Sequence, residues 1–306
     1  MAEKRKRCSV IILNYNGKKY LKECLNSLMN QTYSDYEIII SDNGSTDGSI
    51  NFIKKNYPRI ILIENGENLG YAEGNNRGIR KATGDYIVIL NNDTKTDKDW
   101  LKNLVEVANS DKRIAVVGGK VYWMNDPKRI QSMGGKLRKW NNFIRLGSRI
   151  GQYEVDKGQY ENIMDIDYAL GCSFLIKKDV LKEVGLFDEK YFIYNEEIDL
   201  QYRIKRSGYK IVYSPKAKIW HFGSAVVGRE TYKKVYLTQR NKMRFMLKNF
   251  ELYLIIWNIF SQSIHFTLKV FFSLFNRNFI NTTRGIFNAI KWNLVNLKDT
   301  VKARRY

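Results

Sequence analysis

The sequence predicts an α/β fold, in which a mostly parallel sheet is flanked by helices and followed by a helical C-terminal region. Between Ser9 and Val121, short runs of apolar and β-branched residues alternate with segments of helical spacing. This alternation is typical of parallel strands joined by right-handed helical crossovers. The run Tyr86–Leu90 is apolar throughout, which indicates a central strand buried on both faces. No proline follows Pro215, so long helices are permitted near the C-terminus.

Seven elements are predicted in the first part of the chain. The strands are Ser9–Leu13, Tyr36–Ile40, Ile60–Glu64, Tyr86–Leu90 and Ala115–Val121, and the helices are Leu21–Met29 and a segment near Ser49–Asn56. The segment Asp126–Gln159 is rich in glycine, lysine and arginine and shows little periodicity. We expect it to form loops over the open side of the sheet, where a substrate could enter.

Composition indicates a folded globular protein. The chain has 306 residues, of which 44% are hydrophobic and 27% are charged, enough for one large domain and an appendage. Cys8, Cys24 and Cys172 are widely spaced, so neither a disulfide framework nor a zinc knuckle is predicted. The apolar run behind the basic N-terminus ends at Leu13, which is too short for a signal peptide. A cytoplasmic location is therefore expected.

Four polar segments follow predicted strands, at residues 14–17, 41–49, 68–78 and 91–93. Taken singly, each is explained by turn chemistry. Because the carboxyl ends of parallel strands meet at one edge of a sheet, the four together predict a shared pocket. The first turn lacks a GxGxxG pattern, and no P-loop lysine motif occurs. A bound pyrophosphate would therefore depend on a metal ion and basic residues.

Asp93 directly follows the predicted central strand, in the sequence Asn91-Asn92-Asp93. A hard divalent cation bound to a nucleotide diphosphate prefers carboxylate oxygen as a ligand. The alternative is that Asp93 caps the segment beginning at Asp97–Trp100, since Asn and Asp favour turns and helix N-caps.

Six motifs, in this order along the chain, closely resemble those of glycosyltransferase family 2, the inverting enzymes with a GT-A fold. The resemblance is strongest to the rhamnosyltransferase-type branch that builds cell-surface polysaccharides, and it covers roughly residues 8–225. The motifs are VIILNYNG (10–17), SDNGSTDGS (41–49), NLGYAEGNN (68–76), GDYIVILNNDT (84–94), GLFDEKYFIYNEEIDLQYRIKRSGYKIVYSP (185–215) and WHFGSA (220–225).

The resemblance implies a nucleotide-sugar site at the ends of the first strands. The DxD-type motif of the family falls on Asn91-Asn92-Asp93, in which only the last acid is present. The implied donor-binding residues are Leu13, Asn14, Tyr15, Asn16, Asp42, Asn43, Asn75, Asn91, Asn92 and Asp93.

The resemblance also implies a catalytic base. An inverting transfer needs one group to take the proton of the acceptor hydroxyl, while the leaving diphosphate needs charge stabilisation. In the family the base is the second residue of a Glu-Asp-like pair, which falls on Glu197, and Glu196 is the alternative. Both lie with Asp199 in the first turn of a predicted helix, where the helix dipole alone favours acids. For Asp199 we adopt that structural explanation.

His221 follows the strand-like segment Lys218–Trp220. A lone histidine is more often structural than a ligand, but the family has a histidine here that completes the metal sphere or touches the phosphates. The resemblance therefore implies that Asp93 and His221 bind Mn²⁺ or Mg²⁺. Cys172 has no basic partner at a defined spacing, so we expect a packed thiol and not a nucleophile.

The C-terminal region is strongly basic. The net charge of the chain is +21, and the segment from Val226 to Tyr306 contains 15 Lys and Arg residues but only 3 acids. Such a segment indicates an anionic partner, either lipid headgroups or nucleic acid. Leu252–Phe275 is apolar but is interrupted by polar residues such as His265 and Lys269. We expect an interfacial or partner-packed helix there and not a membrane span.

Beyond this segment, two stripes share one predicted helix. The basic stripe recurs every seven residues at Arg277, Arg284, Lys291, Lys298 and Arg305. The apolar stripe beside it contains Ile280, Phe287, Ile290, Leu294, Leu297 and Val301. Basic residues flanking an apolar face suit an anionic bilayer surface. The alternative is a helix packed on the catalytic domain with a solvated rim.

Three functional hypotheses follow. The first is a metal-dependent inverting glycosyltransferase that moves a sugar from dTDP-rhamnose or a UDP-sugar to a glycan or lipid-linked acceptor. It would act in cell-surface polysaccharide synthesis, peripherally at the inner face of the cell membrane. The second is a basic nucleic-acid binder with a transferase-like fold, but no RNP-like or zinc-finger signature occurs, so nucleic acid is not an expected partner. The third is a catalytically weak scaffold, suggested by the reduced motif at Asn91-Asn92-Asp93.

The expected domains follow the resemblance. Residues 1–225 form the catalytic domain, with a nucleotide-sugar-binding half at about 1–120 and an acceptor-binding half at about 121–225. Residues 226–306 form the basic amphipathic helical region.

Overall fold

The computed structural model of the protein describes residues 7–140, 143–223, 231–251, 253 and 279–304. The chain divides into two compact units. The first comprises Met1–Lys136, Arg149–Phe192 and Glu196–Gly223, and the second comprises Leu137–Ser148, Ile193–Asn195 and Ser224–Tyr306. The division into functional domains at residue 225 stays a prediction.

The strands of the described residues are β1 Cys8–Asn14, β2 Tyr36–Asp42, β3 Ile61–Glu64, β4 Tyr86–Asn91, β5 Thr94–Thr96, β6 Ile114–Trp123, β7 Asp126–Ser132, β8 Gly135–Trp140, β9 Phe143–Arg149, β10 Met164–Asp165, β11 Ser173–Lys177 and β12 Lys210–His221. The α-helices are α1 Lys18–Met29, α2 Ser49–Asn56, α3 Gly70–Lys81, α4 Trp100–Ser110, α5 Lys178–Val184, α6 Glu196–Arg206, α7 Tyr232–Asn249, α8 Phe279–Val295 and α9 Leu297–Lys302. A short 3₁₀-helix spans Glu189–Tyr191.

The central sheet has the order β10-β12-β6-β11-β4-β1-β2-β3, with β5 beside β12 and β7 beside β6. Strands β3, β2, β1 and β4 are mutually parallel, and β12 is parallel to β6. Strand β11 runs antiparallel between β4 and β6. The strands β1, β2, β4, β6 and β12 therefore end at the same edge of the sheet. The predicted α/β fold is confirmed, and β11 makes the sheet mixed.

The central position of β4 explains its apolar sequence. Val88 and Leu90 belong to one hydrophobic cluster, and Ile87 and Ile89 belong to a second cluster. All four side chains are at most 1% exposed. Because successive residues of a strand point to opposite faces, both faces of the sheet are covered, as the run Tyr86–Leu90 predicts.

The polar segment 68–78 is largely helical and not a strand-end turn. Helix α3 begins at Gly70, and two of its glycines lie directly against β1. A Cβ atom on Gly74 would come 2.3 Å from Leu13 Cδ1, and one on Gly78 would come 2.4 Å from Ile11 Cγ2. Glycine has a low helix propensity, so the sequence alone favoured a turn, whereas close packing on β1 stabilises the helix.

The prediction of loops for Asp126–Gln159 is wrong, because the segment contains β7, β8 and β9. Strand β7 pairs with the last residues of β6, Val121–Trp123. Strand β8 pairs with β9 in a separate two-stranded sheet. The first residues of β7, Asp126–Lys128, are exposed. A strand with a solvated portion lacks the apolar alternation on which a sequence-based prediction depends.

The C-terminal predictions are only partly covered by the described residues. Apart from Tyr253, the segment Leu252–Phe275 lies outside them, as do Arg277 and Arg305 of the basic stripe. The single helix predicted there is two helices, since α8 ends at Val295 and α9 begins at Leu297. No helix within the described residues is long and apolar enough to cross a membrane.

A buried lysine fixes the segment after β9. Lys120 is fully buried in β6, and its Nζ atom lies 2.9 Å from Asp156 Oδ2 and 2.7 Å from Glu161 Oε1. The Tyr122 hydroxyl also donates a hydrogen bond to Asp156. Interactions of a buried charge are stronger than those of exposed pairs, and removing one partner leaves the other unpaired.

We predict that Lys120→Met lowers the free energy of unfolding by about 3 kcal/mol, because Asp156 and Glu161 lose their buried cation. The control is Lys182→Met, which removes the exposed Lys182–Asp179 pair and should cost less than about 0.5 kcal/mol. Urea unfolding of the two variants measures the difference. Equal losses would show that the buried cluster does not stabilise the fold.

Candidate active site

Asp93 and His221 are brought together by the pairing of β5 with β12. Thr94 lies opposite His221 in this antiparallel pair, so the preceding residue, Asp93, lies beside the end of β12. Asp93 Oδ1 is 3.2 Å from His221 Nε2, and both side chains are 11% exposed. The backbone N–H of Phe222 also donates to the Asp93 carbonyl at 3.2 Å. The two residues predicted as metal ligands are therefore neighbours.

Asp93 does not cap helix α4, so the alternative explanation for this residue is wrong. The helix begins at Trp100, whose N–H donates to the carbonyl of Asp97 at 3.1 Å. The Asp97 carboxylate itself accepts the N–H of Asp99 at 2.9 Å. Asp97 thus performs the structural role at this turn.

Gln131 orients the His221 ring. His221 Nδ1 lies 2.7 Å from Gln131 Oε1, and this amide oxygen can only accept a hydrogen bond. The bond therefore assigns a proton to Nδ1 and directs Nε2 toward Asp93. Gln131 lies in β7, within the segment for which the sequence indicated loops, and no pattern around it predicted a role in the site.

The buried His221 imidazole lies beside Asp93 and Cys172, which affect its pKa. The pKa of His221 is raised to about 10: burial acts to lower it, but Cys172 and the hydrogen bond with Asp93 raise it by more. Cys172 is 5% exposed, and its carbonyl accepts the N–H of Asn91 at 2.9 Å. Cys172 is thus a buried thiol beside the site, and a cation bound by both ligands would displace the imidazolium proton.

Asn14 is the centre of a buried polar cluster at the ends of β1, β2 and β4. Its Nδ2 atom donates to Asp42 Oδ2 at 2.7 Å, and its Oδ1 atom accepts from Asn92 Nδ2 at 2.7 Å. The Ser45 hydroxyl accepts from Asn14 Nδ2 at 3.1 Å and from the Asn16 N–H at 2.8 Å. The structure thus brings together four of the residues predicted to bind the donor.

Asn43 and Leu13 flank this cluster on the side of α3. Asn43 Nδ2 donates to the Gly70 carbonyl at 2.9 Å, and its Oδ1 accepts from Asn65 Nδ2 at 2.9 Å. The Leu13 side chain lies against Gly74. Both positions are fixed by the close approach of α3 to β1.

The three other predicted donor-binding residues differ in environment. Tyr15 is 38% exposed. Asn75 donates to the Tyr71 carbonyl at 2.9 Å, while its buried Oδ1 has no hydrogen-bond partner among the described residues. The carbonyl of Asn91 accepts the Thr94 hydroxyl at 2.7 Å.

The two candidate base residues begin helix α6. Glu196 is 4% exposed, and its Oε2 atom has no hydrogen-bond partner in the described part of the chain. Burial first, and then the charge of Glu197, raise the pKa of Glu196 well above its usual value. Asp199 instead pairs with Arg203 at 3.0 Å, so its role is structural, as the sequence indicates.

Tyr71 lies beside Gly171, which in turn lies beside the Glu197 side chain. Its hydroxyl donates to the Gly171 carbonyl, and a Cβ atom on Gly171 would lie 3.5 Å from Glu197 Cδ and 3.6 Å from Tyr71 Oη. Burial raises the pKa of Tyr71 well above its usual value, and the charges of Glu196, Glu197 and Asp93 contribute. Gly171 therefore lies beside both Tyr71 and Glu197, and the carbonyl of the next residue, Cys172, accepts the N–H of Asn91, two positions before Asp93.

The backbone that leads into α6 is strained. Phe192, Tyr194 and Asn195 have φ angles of 63°, 79° and 68°, a region that costs non-glycine residues energy and often occurs at functional sites. Asn241 is fully buried and donates to the carbonyls of Ile193 and Tyr194 at 2.8 and 2.7 Å. No spacing in the sequence indicates these two hydrogen bonds, because Asn241 lies 47 positions after Tyr194.

The Asp93–His221 pair suits a divalent cation. Carboxylate oxygen and imidazole nitrogen are ligands of Mn²⁺, and two adjacent ligands at bonds of about 2.1 Å in an octahedron lie about 3.0 Å apart. Within the described residues, no group of three or more His, Cys, Asp and Glu side chains could hold a metal. The pair therefore fits a cation that takes further ligands from phosphate oxygens and water.

Two curated relatives resemble most of the chain. One is the N-acetylglucosaminyl-diphospho-decaprenol L-rhamnosyltransferase of Mycobacterium tuberculosis, at 26% identity over 244 residues, covering 72% of this chain and 78% of that protein. The other is the low-salt glycan biosynthesis hexosyltransferase Agl10 of Haloferax volcanii, at 26% identity over 298 residues, covering 92% of this chain and 89% of that protein.

Solved structures of glycosyltransferases share the fold. GalNAc-T7 with UDP, GalNAc and Mn²⁺ has a TM-score of 0.64 at 20% identity, but this chain spans about half of it, with coverages of 82% and 49%. Residues 1–349 of Staphylococcus aureus TarS with UDP-GlcNAc have a TM-score of 0.59 at 21% identity, covering 98% of this chain and 82% of that chain. The mannosyltransferase PcManGT of Pyrobaculum calidifontis with GDP-Man and Mn²⁺ has a TM-score of 0.57 at 16% identity, covering 95% of this chain and 87% of that chain.

A family model for glycosyl transferase family 2 matches residues 9–185, which is more than half of the chain. The matched range contains β1, β2 and β4, whose ends hold the Asn14 cluster, and it contains Asp93. Together with the GT-A fold, this match confirms the family indicated by the six sequence motifs. The chain is a glycosyltransferase and belongs to glycosyltransferase family 2.

Proposed function

We propose that this protein transfers a sugar, with inversion and with a divalent cation, from a nucleotide-diphosphate sugar to a hydroxyl group of its acceptor. The observation that carries the proposal is a set of contacts: Asp93 Oδ1 lies 3.2 Å from His221 Nε2, and a Cβ atom on Gly171 would lie 3.5 Å from Glu197 Cδ. The carbonyl of Cys172, the residue after Gly171, accepts the N–H of Asn91, two positions before Asp93. This grouping supplies a cation site for the diphosphate and a carboxylate for the acceptor proton.

The names of similar proteins support a choice of donor and acceptor. One relative is a rhamnosyltransferase whose name specifies a lipid-diphosphate-linked N-acetylglucosamine, and one structural neighbour binds UDP-GlcNAc. The donor of this protein is proposed to be dTDP-rhamnose or a UDP-sugar, and the acceptor a glycan or lipid-linked sugar of the cell surface. In this scheme the nucleotide lies against the ends of β1, β2 and β4, where Asn14 holds Asp42 and Asn92 in place and Asn65 holds Asn43.

Asp93 and His221 would hold the Mn²⁺ or Mg²⁺, which supplies charge stabilisation for the departing diphosphate. Glu197 takes the proton of the attacking hydroxyl. Burial and the charge of Glu197 raise the pKa of Glu196 well above its usual value, which favours the protonated form, and a protonated carboxyl cannot accept a further proton. We therefore assign the base to Glu197, the second residue of the Glu-Asp-like pair, with Glu196 as the alternative.

We predict that Glu197→Gln lowers sugar transfer by about 10²–10⁴-fold, because glutamine cannot take a proton. Transfer is measured as release of UDP or dTDP from a panel of UDP-sugars and dTDP-rhamnose, with cell-envelope glycolipid as acceptor. Calorimetric affinity for UDP with Mn²⁺ should be unchanged, because Glu197 does not belong to the proposed nucleotide site.

The matched control is Glu106→Gln, which alters an exposed acid paired with Lys102 and should leave transfer unchanged. Normal turnover by Glu197→Gln would refute the assignment of the base. If Glu196→Gln loses sugar transfer while Glu197→Gln does not, the base is Glu196.

The second unit supports a peripheral membrane location. In α8 and α9 large apolar residues are exposed while small or polar residues are buried, the reverse of the usual pattern. Small or polar residues are buried, among them Ala289, Asn293 and Thr300, and Asn293 donates to the Arg240 carbonyl of α7 at 3.0 Å. The exposed residues are Phe287 (67%), Ile290 (42%), Leu294 (67%), Leu297 (41%) and Val301 (45%). An apolar face turned outward beside basic residues suits the interface of an anionic bilayer.

Basic residues are exposed on the same helices: Arg284, Lys291 and Lys298 of the basic stripe are all exposed. We therefore propose that the protein acts at the inner face of the cell membrane, where a lipid-linked acceptor would be available. The aliphatic stems of the basic residues would extend along the acyl boundary while their charges reach lipid phosphates.

We predict that the protein sediments with vesicles containing phosphatidylglycerol and that the double variant Phe287→Ser, Leu294→Ser binds them at least about tenfold more weakly, because two apolar side chains no longer enter the bilayer. The control Met29→Ser alters an exposed apolar residue of α1 and should bind normally. Equal binding by the double variant would contradict the proposal. Salt-sensitive binding to duplex DNA, without vesicle binding, would favour the nucleic-acid hypothesis.

A further inference from the structure

An aromatic pair, of which Tyr153 is exposed and Trp123 is half-buried, lies next to the candidate site. The Tyr153 ring stacks on the Trp123 ring with centroids 6.0 Å apart and planes inclined by 12°. Tyr153 is 58% exposed, so a large part of its ring remains open to solvent although Trp123 covers one side. Aromatic rings with one open face bind the C–H face of pyranose sugars, and their polar edges contact water and hydroxyl groups.

The backbone of Tyr153 is held in a costly conformation. Its φ angle is 67°, a left-handed conformation that is unfavourable for a bulky residue. The N–H of Tyr153 donates to the Ile130 carbonyl at 2.9 Å, and the Tyr153 carbonyl accepts from Arg129 Nη1 at 2.7 Å. Arg129 is itself fixed by Asp126 at 2.8 Å. These contacts hold the backbone of an exposed tyrosine in place. A tyrosine that only faced solvent would not need them.

Trp123 connects this pair to the candidate metal ligands. It is the last residue of β6, and its Cα partner in the parallel strand β12 is His221, so both side chains project from the same face of the sheet. A Cβ atom on Gly223 would lie 2.9 Å from Trp123 Cζ3 and 2.5 Å from Gln131 Nε2. The indole therefore adjoins the glutamine that orients His221.

The strand order places the pair on the side away from the nucleotide residues. The Asn14 cluster lies at β1 and β2, Asp93 follows β4, and Trp123 ends β6, which is separated from β4 by β11. Trp123 is paired with His221 in the adjacent strand β12, so their backbones are about one strand spacing, roughly 5 Å, apart. A sugar ring on the exposed Tyr153 ring would therefore lie close to the proposed point of transfer.

We propose that Tyr153, backed by Trp123, is a stacking subsite for a pyranose ring of a carbohydrate acceptor. This inference rests on the proposed function, because it takes the transfer to occur beside Asp93 and His221. It adds an acceptor contact that the family motifs do not include, since Trp123 and Tyr153 lie in none of the six. Stacking on a ring tolerates different sugars, so the subsite would hold the acceptor chain and leave the choice of reacting hydroxyl to other contacts.

The test compares wild type, Tyr153→Asn and Tyr153→Phe, all in the presence of UDP and Mn²⁺. Asparagine removes the ring but tolerates the left-handed backbone, whereas phenylalanine keeps the ring. Binding is measured on an array of printed pyranose glycans. We expect Tyr153→Asn to bind about tenfold more weakly and Tyr153→Phe to bind within about twofold of wild type, as loss of one aromatic contact implies.

Calorimetric affinity for UDP with Mn²⁺ separates the possible failures. It should be equal in all three proteins, and thermal unfolding should show that each is folded. Undiminished glycan binding by Tyr153→Asn, or no glycan binding by a wild-type protein that binds UDP, would overturn the subsite alone. A wild-type protein that does not bind UDP with Mn²⁺ would instead overturn the proposed function on which the subsite rests.

Discussion

The contact between Asp93 and His221 joins parts of the chain that are far apart in sequence, and the arrangement of the site depends on it. Asp93 follows the central strand β4, whereas His221 ends β12, which is three strands away in the sheet. The short strand β5 crosses this gap by pairing with β12, with Thr94 opposite His221. Gln131 then fixes the orientation of the imidazole. A cation held by the pair would lie at the edge where β1, β2, β4 and β6 also end.

Burial places the carboxylates of the site in different environments. Glu196 is enclosed beside a second acid, which favours its neutral form, while Asp93 Oδ1 lies 3.2 Å from His221 Nε2. Acids of similar chemistry can perform different tasks in such different environments. The strained residues Tyr194 and Asn195 precede this pair, and the Asn241 side chain stabilises their backbone. Energy stored in the backbone here is offset by buried hydrogen bonds.

The sequence was sufficient to predict the features that depend on local pattern. The run Tyr86–Leu90 identified the central strand, and the polar residues after each strand identified the edge at which the site lies. It could not predict α3, because Gly74 and Gly78 are unfavourable in an isolated helix and are required only by the proximity of β1. Gln131, Tyr71 and Asn241 were missed for a related reason: each acts through a contact made by tertiary folding, and no spacing in the sequence indicates it.

The most direct experiment is pulsed EPR of Mn²⁺ bound with UDP to the 306-residue chain, because it detects a nitrogen atom coordinated to the metal. The chain contains only two histidines, His221 and His265. We expect a ¹⁴N coupling in the wild-type complex that disappears in His221→Ala and persists in His265→Ala. A wild-type complex without nitrogen coupling, or a coupling that survives in His221→Ala, would show that His221 and Asp93 do not form the cation site.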